Sequence, residues 1–245
     1  MGNRLAGVAL SGALALAQGA AMGDEEPLGP ARDAFREGRF VEAANAGEAL
    51  GTSGGYALAA ESLAIYGHYL APREQKAHLL DRAMRLAQEA IRSDTGNPQA
   101  HLQSAHAMGR YTQAIGTLKV KRDYARQVRA AIEQALWLNP KLAEAHLSLA
   151  TWHAEAITGG GFMARLLFGA SGKDAIRHYE AALELAPHAK IVHAEYALGL
   201  LLLGEREHRE QARSLLQRAV ELPVGDAHDR IIHELAVAKL AELNL

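Results

Sequence analysis

Apolar positions along this chain recur at helical spacing, and one phrase punctuates them: a small residue, an apolar pair, then a proline. The fullest copy is Ala175-Ile176-Arg177-His178-Tyr179-Glu180-Ala181-Ala182-Leu183-Glu184-Leu185-Ala186-Pro187. The stretch from Ala131 to Pro140 abbreviates it, and weaker copies end near Pro98 and Pro223. Apolar residues spaced three and four apart make one-sided helices. The pattern predicts helices over 28–37, 39–50, 55–70, 72–93, 98–115, 121–138, 141–157, 173–186, 188–203, 207–222 and 227–243. Gly38, Gly51, Pro72, Pro98, Pro140, Pro187, Gly204 and Pro223 mark the breaks. No stretch alternates apolar and polar residues long enough to compete as a strand. Repeated helical units of this kind imply a stack, because no pair can bury its apolar face alone.

The spacing of small residues sharpens this picture. Ala90, Ala135 and Ala182 lie in the second helices of successive pairs, and each is followed fifteen residues later by Ala105, Ala150 or Ala197. A constant interval predicts a fixed turn from one pair to the next, with small residues where two helices approach closely. Within the pairs the interval varies. From Ala105 to Val128 is 23 residues and from Ala150 to Ala175 is 25. These figures predict extra chain inserted between the two helices of each pair. The last helix carries Asp229, Arg230, Glu234, Lys239 and Glu242, the polar outer face that a capping helix needs.

On these residues the chain resembles the tetratricopeptide repeats, stacked helix–turn–helix units of about 34 residues, of the exported bacterial type. Ala175, Tyr179, Ala182, Leu185 and Pro187 match the second-helix signature. Ala145, Leu149, Ala150, Ala197 and Gly204 match parts of the first-helix signature. His101, His146 and His193 stand where that family places a large aromatic. The resemblance implies an all-α fold, a right-handed solenoid of about five helix pairs plus a C-terminal capping helix. It also implies a concave groove that takes a protein or peptide partner. The expected organisation is a signal peptide over 1–23, degenerate pairs over 24–97, and repeats with two insertions and the cap over 98–245.

Charge and composition narrow the partner. The formal net charge is -2, so neither nucleic acid nor an anionic membrane surface is an expected partner. There is no cysteine, which removes disulfides, thiolate metal sites and a cysteine nucleophile. Arg4 followed by the apolar run Leu5–Ala17 and the small residues Gly19, Ala20, Ala21 and Gly23 reads as a cleavable export signal, too short to span a bilayer as a helix. This predicts a periplasmic or secreted protein without stable membrane insertion. Nothing in the pattern selects an oligomeric state.

The chemical motifs argue against an enzyme. Gly169-Ala170-Ser171-Gly172-Lys173 lacks the leading glycine of a phosphate loop, and Asp174 replaces its magnesium-binding hydroxyl. His233-Glu234 lacks the second histidine of a zinc protease helix. No cofactor and no metal are expected. The twelve histidines are the one oddity. His101, His146 and His193 read either as a ladder of imidazoles for a metal or anion or as packing residues in place of the aromatic. Packing is favoured because spacings of five and seven within one helix do not pair on a face.

Two sets of residues are the candidate partner-binding site. By resemblance the groove carries His106, Arg110, Thr151 and Glu155, alongside Gln99, Glu144 and the apolar Ile191, Leu198 and Leu202. The second insertion, 159–169, carries Phe162, Met163, Leu166 and Leu167 between glycines, the pairs falling at helical i,i+4 spacing. It reads as a short helix beside the basic first insertion, which holds Lys119, Lys121, Arg122, Arg126 and Arg129. Its apolar side chains are expected to be buried, as a lid or against a partner. The leading function is a periplasmic interaction scaffold, the alternative a small-ligand carrier or accessory of solute transport. One outcome follows from the leader alone: N-terminal sequencing of exported protein should find a start between Gly19 and Asp24, and an intact Met1 would refute the export signal.

Overall fold

The turn residues set the helix boundaries. Asn97 accepts hydrogen bonds from the backbone N–H groups of Gln99 (3.0 Å) and Ala100, with Pro98 at the first helical position. Thr52 and Ser171 cap in the same way, through the N–H groups of Gly55 and Asp174. In the computed structural model, which describes residues 25–116, 118–204 and 208–243, these signals give eleven α-helices. They are α1 (Glu25–Arg36), α2 (Phe40–Ala49), α3 (Ser53–Ile65), α4 (Arg73–Ser93), α5 (Pro98–Ile115), α6 (Leu118–Leu138), α7 (Ala143–Phe168), α8 (Gly172–Leu185), α9 (Lys190–Leu203), α10 (His208–Glu221) and α11 (Ala227–Leu243). A π-helical turn, Tyr66–Leu70, extends α3. The leader, 1–23, lies outside the described residues.

Consecutive helices pack in pairs, α1 with α2 through α9 with α10, and each pair packs on the next. The result is an all-helical solenoid. Its seam is built from alanine: Ala90, Ala105, Ala135, Ala150, Ala182 and Ala197 are all buried. Where α8 meets α9, Tyr179 stacks on Tyr196 with ring centroids 4.9 Å apart. The tyrosine ring fills the space left by Gly199, where a Cβ would overlap it. Lysine is also found inside the stack. Lys190, almost fully buried, donates from Nζ to the carbonyls of Ala219 (2.5 Å) and Leu222 (2.6 Å), capping the negative end of α10.

Two expectations need correction. The extra residues of the third pair lengthen its helices, to 18 residues in α5 and 21 in α6. In the fourth pair the helical span Ala143–Phe168 is broken at Gly161, whose φ of 52° and ψ of -131° no helix accommodates, so the residues after it form the short helix expected of the second insertion. The stack also does not end in an open concavity. Helix α11 packs on α9 and α10, and its first turn reaches the opposite end of the solenoid. There Ala227 and Ile231 join the apolar cluster of Phe35, Phe40 and Ile65.

The Tyr179–Gly199 fit generates a stability test. Gly199→Ala should destabilise the protein by about 1–3 kcal/mol, because a fully buried ring cannot move aside. Tyr179→Phe, which keeps the ring, should lose less. Thermal melts of both variants decide it, and an unchanged midpoint for Gly199→Ala would refute the packing argument.

Candidate functional site

The first helices carry a ladder of polar side chains from α5 to α7. Gln99 donates to Glu144 (3.1 Å), His106 Nε2 pairs with the Ser148 hydroxyl (2.8 Å), and Gln113 donates to Glu155 (3.3 Å). Helices α3 with α5 and α7 with α9 approach closely, whereas α5 and α7 make no comparable backbone approach. Side chains bridge that gap. His106, Arg110 and Thr151, expected on an accessible groove, are enclosed inside the stack. Thr151 bonds the Tyr179 hydroxyl at 3.0 Å, and only Glu155 of the four keeps a half-buried side chain. Tyr179 of α8 covers Thr151, and His228 of α11 faces the Tyr69 ring that stands beside Arg110.

At the centre of this interior sits Arg110, fully buried, 5.9 Å from the centroid of the Tyr69 ring. The π turn after α3 aims Tyr69 and His68 at it, and Tyr69 lies 6.0 Å from the His228 ring of α11. Burial pushes the Arg110 pKa down, and Tyr69, Glu61 and Glu195 oppose that shift. Part of Glu61 stays accessible, but its carboxyl lies inside. Burial pushes its pKa up to about 8 and outweighs the pull of Arg110. Burial pushes His68 down to about 3, with Arg110 and Lys76 adding repulsion. His106 is held neutral for the same two reasons, burial first and Arg110 second. This cluster lies inside the closed form and leaves no surface for a peptide.

The outer edge is different. After the bend at Gly161, the last turns of α7 lie along α6. Arg129 donates to the Phe168 carbonyl (2.5 Å) and stands over the Trp152 ring, while Arg126 stands over the Phe168 ring, 5.6 Å from its centroid. A groove of about 220 Å³, open to solvent, runs between Arg126, Arg129, Glu133, Trp152, Leu167 and Phe168. Met163, Leu166 and Leu167 project outward and are 52%, 66% and 48% exposed. The expected burial of Leu166 and Leu167 is therefore absent within this chain, because the bend turns their face away from the repeats. The Phe162 side chain and those of Lys119, Lys121 and Arg122 lie outside the described residues.

The three equivalent histidines share one contact. His101, His146 and His193 each bond through Nε2 to a carbonyl six residues earlier, that of Thr95 (2.9 Å), Pro140 (3.0 Å) and Pro187 (2.9 Å). They tie each first helix to the turn before it. Among the described residues no three His, Asp or Glu side chains gather to hold a metal ion, and no helix is long and apolar enough to cross a membrane. Sequence reasoning missed Glu61, His68, Tyr69, Glu195 and His228. They come from separate helices, and the π turn that aims two of them has no sequence signature.

Comparisons with known proteins agree with this architecture. Residues 56–244 match the family described as Regulator of microtubule dynamics protein 1-3. The crystal structure of TTC0263, a thermophilic TPR protein in Thermus thermophilus, aligns with a TM-score of 0.61 at 16% identity, over 86% of this chain and 97% of that one. At that identity the likeness shows the fold alone. A search of curated protein sequences found no match.

The Glu61 carboxyl gives the interior a pH signature. A carboxyl whose pKa is raised on folding binds its proton more tightly in the native state, so the stability it contributes is complete below about pH 4.5 and lost as pH rises toward 8. His68 has the opposite sign, its contribution being present above about pH 6.5 and lost as pH falls toward 3. Thermal melts should therefore show a flatter decline for Glu61→Gln than for the unmodified protein between about pH 5 and 8. Parallel curves would mean that Glu61 does not titrate in the interior.

Proposed function

The chain belongs to the Regulator of microtubule dynamics protein 1-3 family, and from that premise we propose that it is a non-enzymatic scaffold that holds a partner protein at its outer edge. The observation that carries this is the exposed row of Met163, Leu166 and Leu167 beside the groove between α6 and the end of α7. Large aliphatic side chains in water forgo about 1.5–3 kcal/mol each, so a contiguous row of them on one turn marks a contact surface. The enclosed interior argues the same way, since Arg110 and His106 have no open face to offer a peptide. TPR-like folds typically mediate protein–protein contacts and are typically not enzymes.

The family name concerns microtubule dynamics. For this chain it supports an interaction role and leaves the partner to experiment. The groove's openness favours docking of a partner side chain over the enclosed cavity that a solute carrier needs. From the apolar leader Leu5–Ala17 we also infer export to a periplasmic or secreted compartment.

The edge can be tested directly. In affinity capture from native extract, the pair Met163→Asp with Leu166→Asp should lose the partners that the unmodified chain retains, with helical circular dichroism and melting midpoint little changed. Retained partners would move the site elsewhere on the solenoid. A large loss of helix would show that the segment is a packed lid.

A further inference from the structure

Helix α6 begins with an uneven charge. Residues 118–129 hold five cations and one acid, in a chain whose net charge is -2. Four of those cations, Lys119, Arg122, Arg126 and Arg129, are spaced three and four apart, so their positions share one face over about 15 Å of helix. The end of α7 rests beside that face. Arg129 is committed there, donating to the Phe168 carbonyl (2.5 Å) and to Glu133 (2.7 Å). Arg126 is exposed and meets the Phe168 ring. Arg165, on the short helix after Gly161, is exposed between Met163 and Leu166. From Ala156 to Lys173 the chain has no acidic residue.

An aliphatic row and a basic stripe therefore adjoin. Whatever covers the row also takes Arg126 and Arg165 out of water, and a cation moved into a less polar surrounding needs a counter-charge. The occupant must supply carboxylates or phosphates beside its apolar groups. The shape of the edge separates these sources. The groove of about 220 Å³ lined by Trp152, Leu167 and Phe168 is a recess for a fixed apolar side chain. A bilayer presents a fluid surface without one, and a nucleic acid has no use for an aliphatic row. A helix with carboxylates three and four apart along one edge, and apolar residues along the next, matches both the stripe and the row.

We propose that the segment docked at this edge is an acidic amphipathic helix of a partner protein, its apolar face on Met163, Leu166 and Leu167 and its carboxylates at Arg126, Arg165 and the start of α6. This rests on the docking-edge reading and adds the partner's chemistry to it. The probe is a fluorescein-labelled helical peptide of about five turns, with leucines three and four apart and glutamates on the adjoining face. Glutamine and lysine versions of the peptide serve for comparison, and binding to the full chain is followed by fluorescence anisotropy. The glutamate peptide should bind about tenfold tighter than the glutamine peptide and lose about tenfold between about 50 and 300 mM salt. Arg126→Glu with Arg165→Glu should weaken the glutamate peptide about tenfold and strengthen the lysine peptide, whereas Arg73→Glu, an exposed cation of α4, should change neither. Equal affinity for the glutamate and glutamine peptides, with Leu166→Asp weakening both, would overturn the acidic partner and keep the docking edge. Binding indifferent to Leu166→Asp would overturn the edge itself. An equal loss in Arg73→Glu would overturn the local pairing. If the glutamate peptide does not bind, the proposal falls, and vesicles of phosphatidylglycerol and phosphatidylcholine that bind the chain but not Leu166→Asp would assign the edge to an anionic bilayer. If the double reversal fails to fold, the unmodified chain decides, and an affinity for the glutamate peptide that is indifferent to salt overturns the proposal.

Discussion

Tyr179 of α8 occupies the space that Gly199 of α9 leaves open, stacked on Tyr196 and hydrogen-bonded to Thr151 of α7. Three helices from two successive pairs meet in that contact. It depends on the absence of a Cβ at one position and on alanine at the neighbouring crossings. Close backbone approach at small residues is the constraint on which the stack rests: it fixes the offset between pairs, and the offset accumulates into the curvature of the solenoid. The curvature then determines whether the far end of the chain can return to the near end.

In this protein it does return. Helix α11 seals the concavity by setting Ala227 and Ile231 among the aromatics of the first pair. A solenoid that would otherwise expose a polar inner face instead buries it. Buried polar groups need partners, and the ladder of Gln99–Glu144, His106–Ser148 and Gln113–Glu155 supplies them where α5 and α7 stand apart. Arg110 stands beside the Tyr69 ring in the same interior, where burial favours the uncharged form of the Glu61 carboxyl. Its titration behaviour is a property of the closed form, since opening the ends would rehydrate every member of the cluster.

Closure moves the accessible chemistry to the outside. The pair α5–α6 puts its extra residues into longer helices, and in α7 the break at Gly161 sets off a short terminal helix whose apolar face looks outward beside Arg126. Each of the three equivalent rings commits one nitrogen to a turn carbonyl. Only His146 directs the other at a second imidazole.

The sequence alone determined the helices, their pairing and the small-residue seam, because these follow from local spacing: apolar residues every three or four positions, prolines and glycines at the ends, alanines at a constant interval of fifteen. It also marked Met163, Leu166 and Leu167 as a distinct apolar segment. It could not reveal that Arg110, His106 and Thr151 are enclosed, because that depends on α11 meeting α1 and α2, a contact between residues nearly two hundred positions apart. Nor could it pair His146 with His178 or assemble Glu61, Tyr69, Glu195 and His228 around Arg110. Those groups are brought together by the sum of small rotations between successive helix pairs, and no local pattern encodes a sum. Tertiary structure alone decided which polar residues face inward, which apolar residues face water, and therefore where a partner can bind.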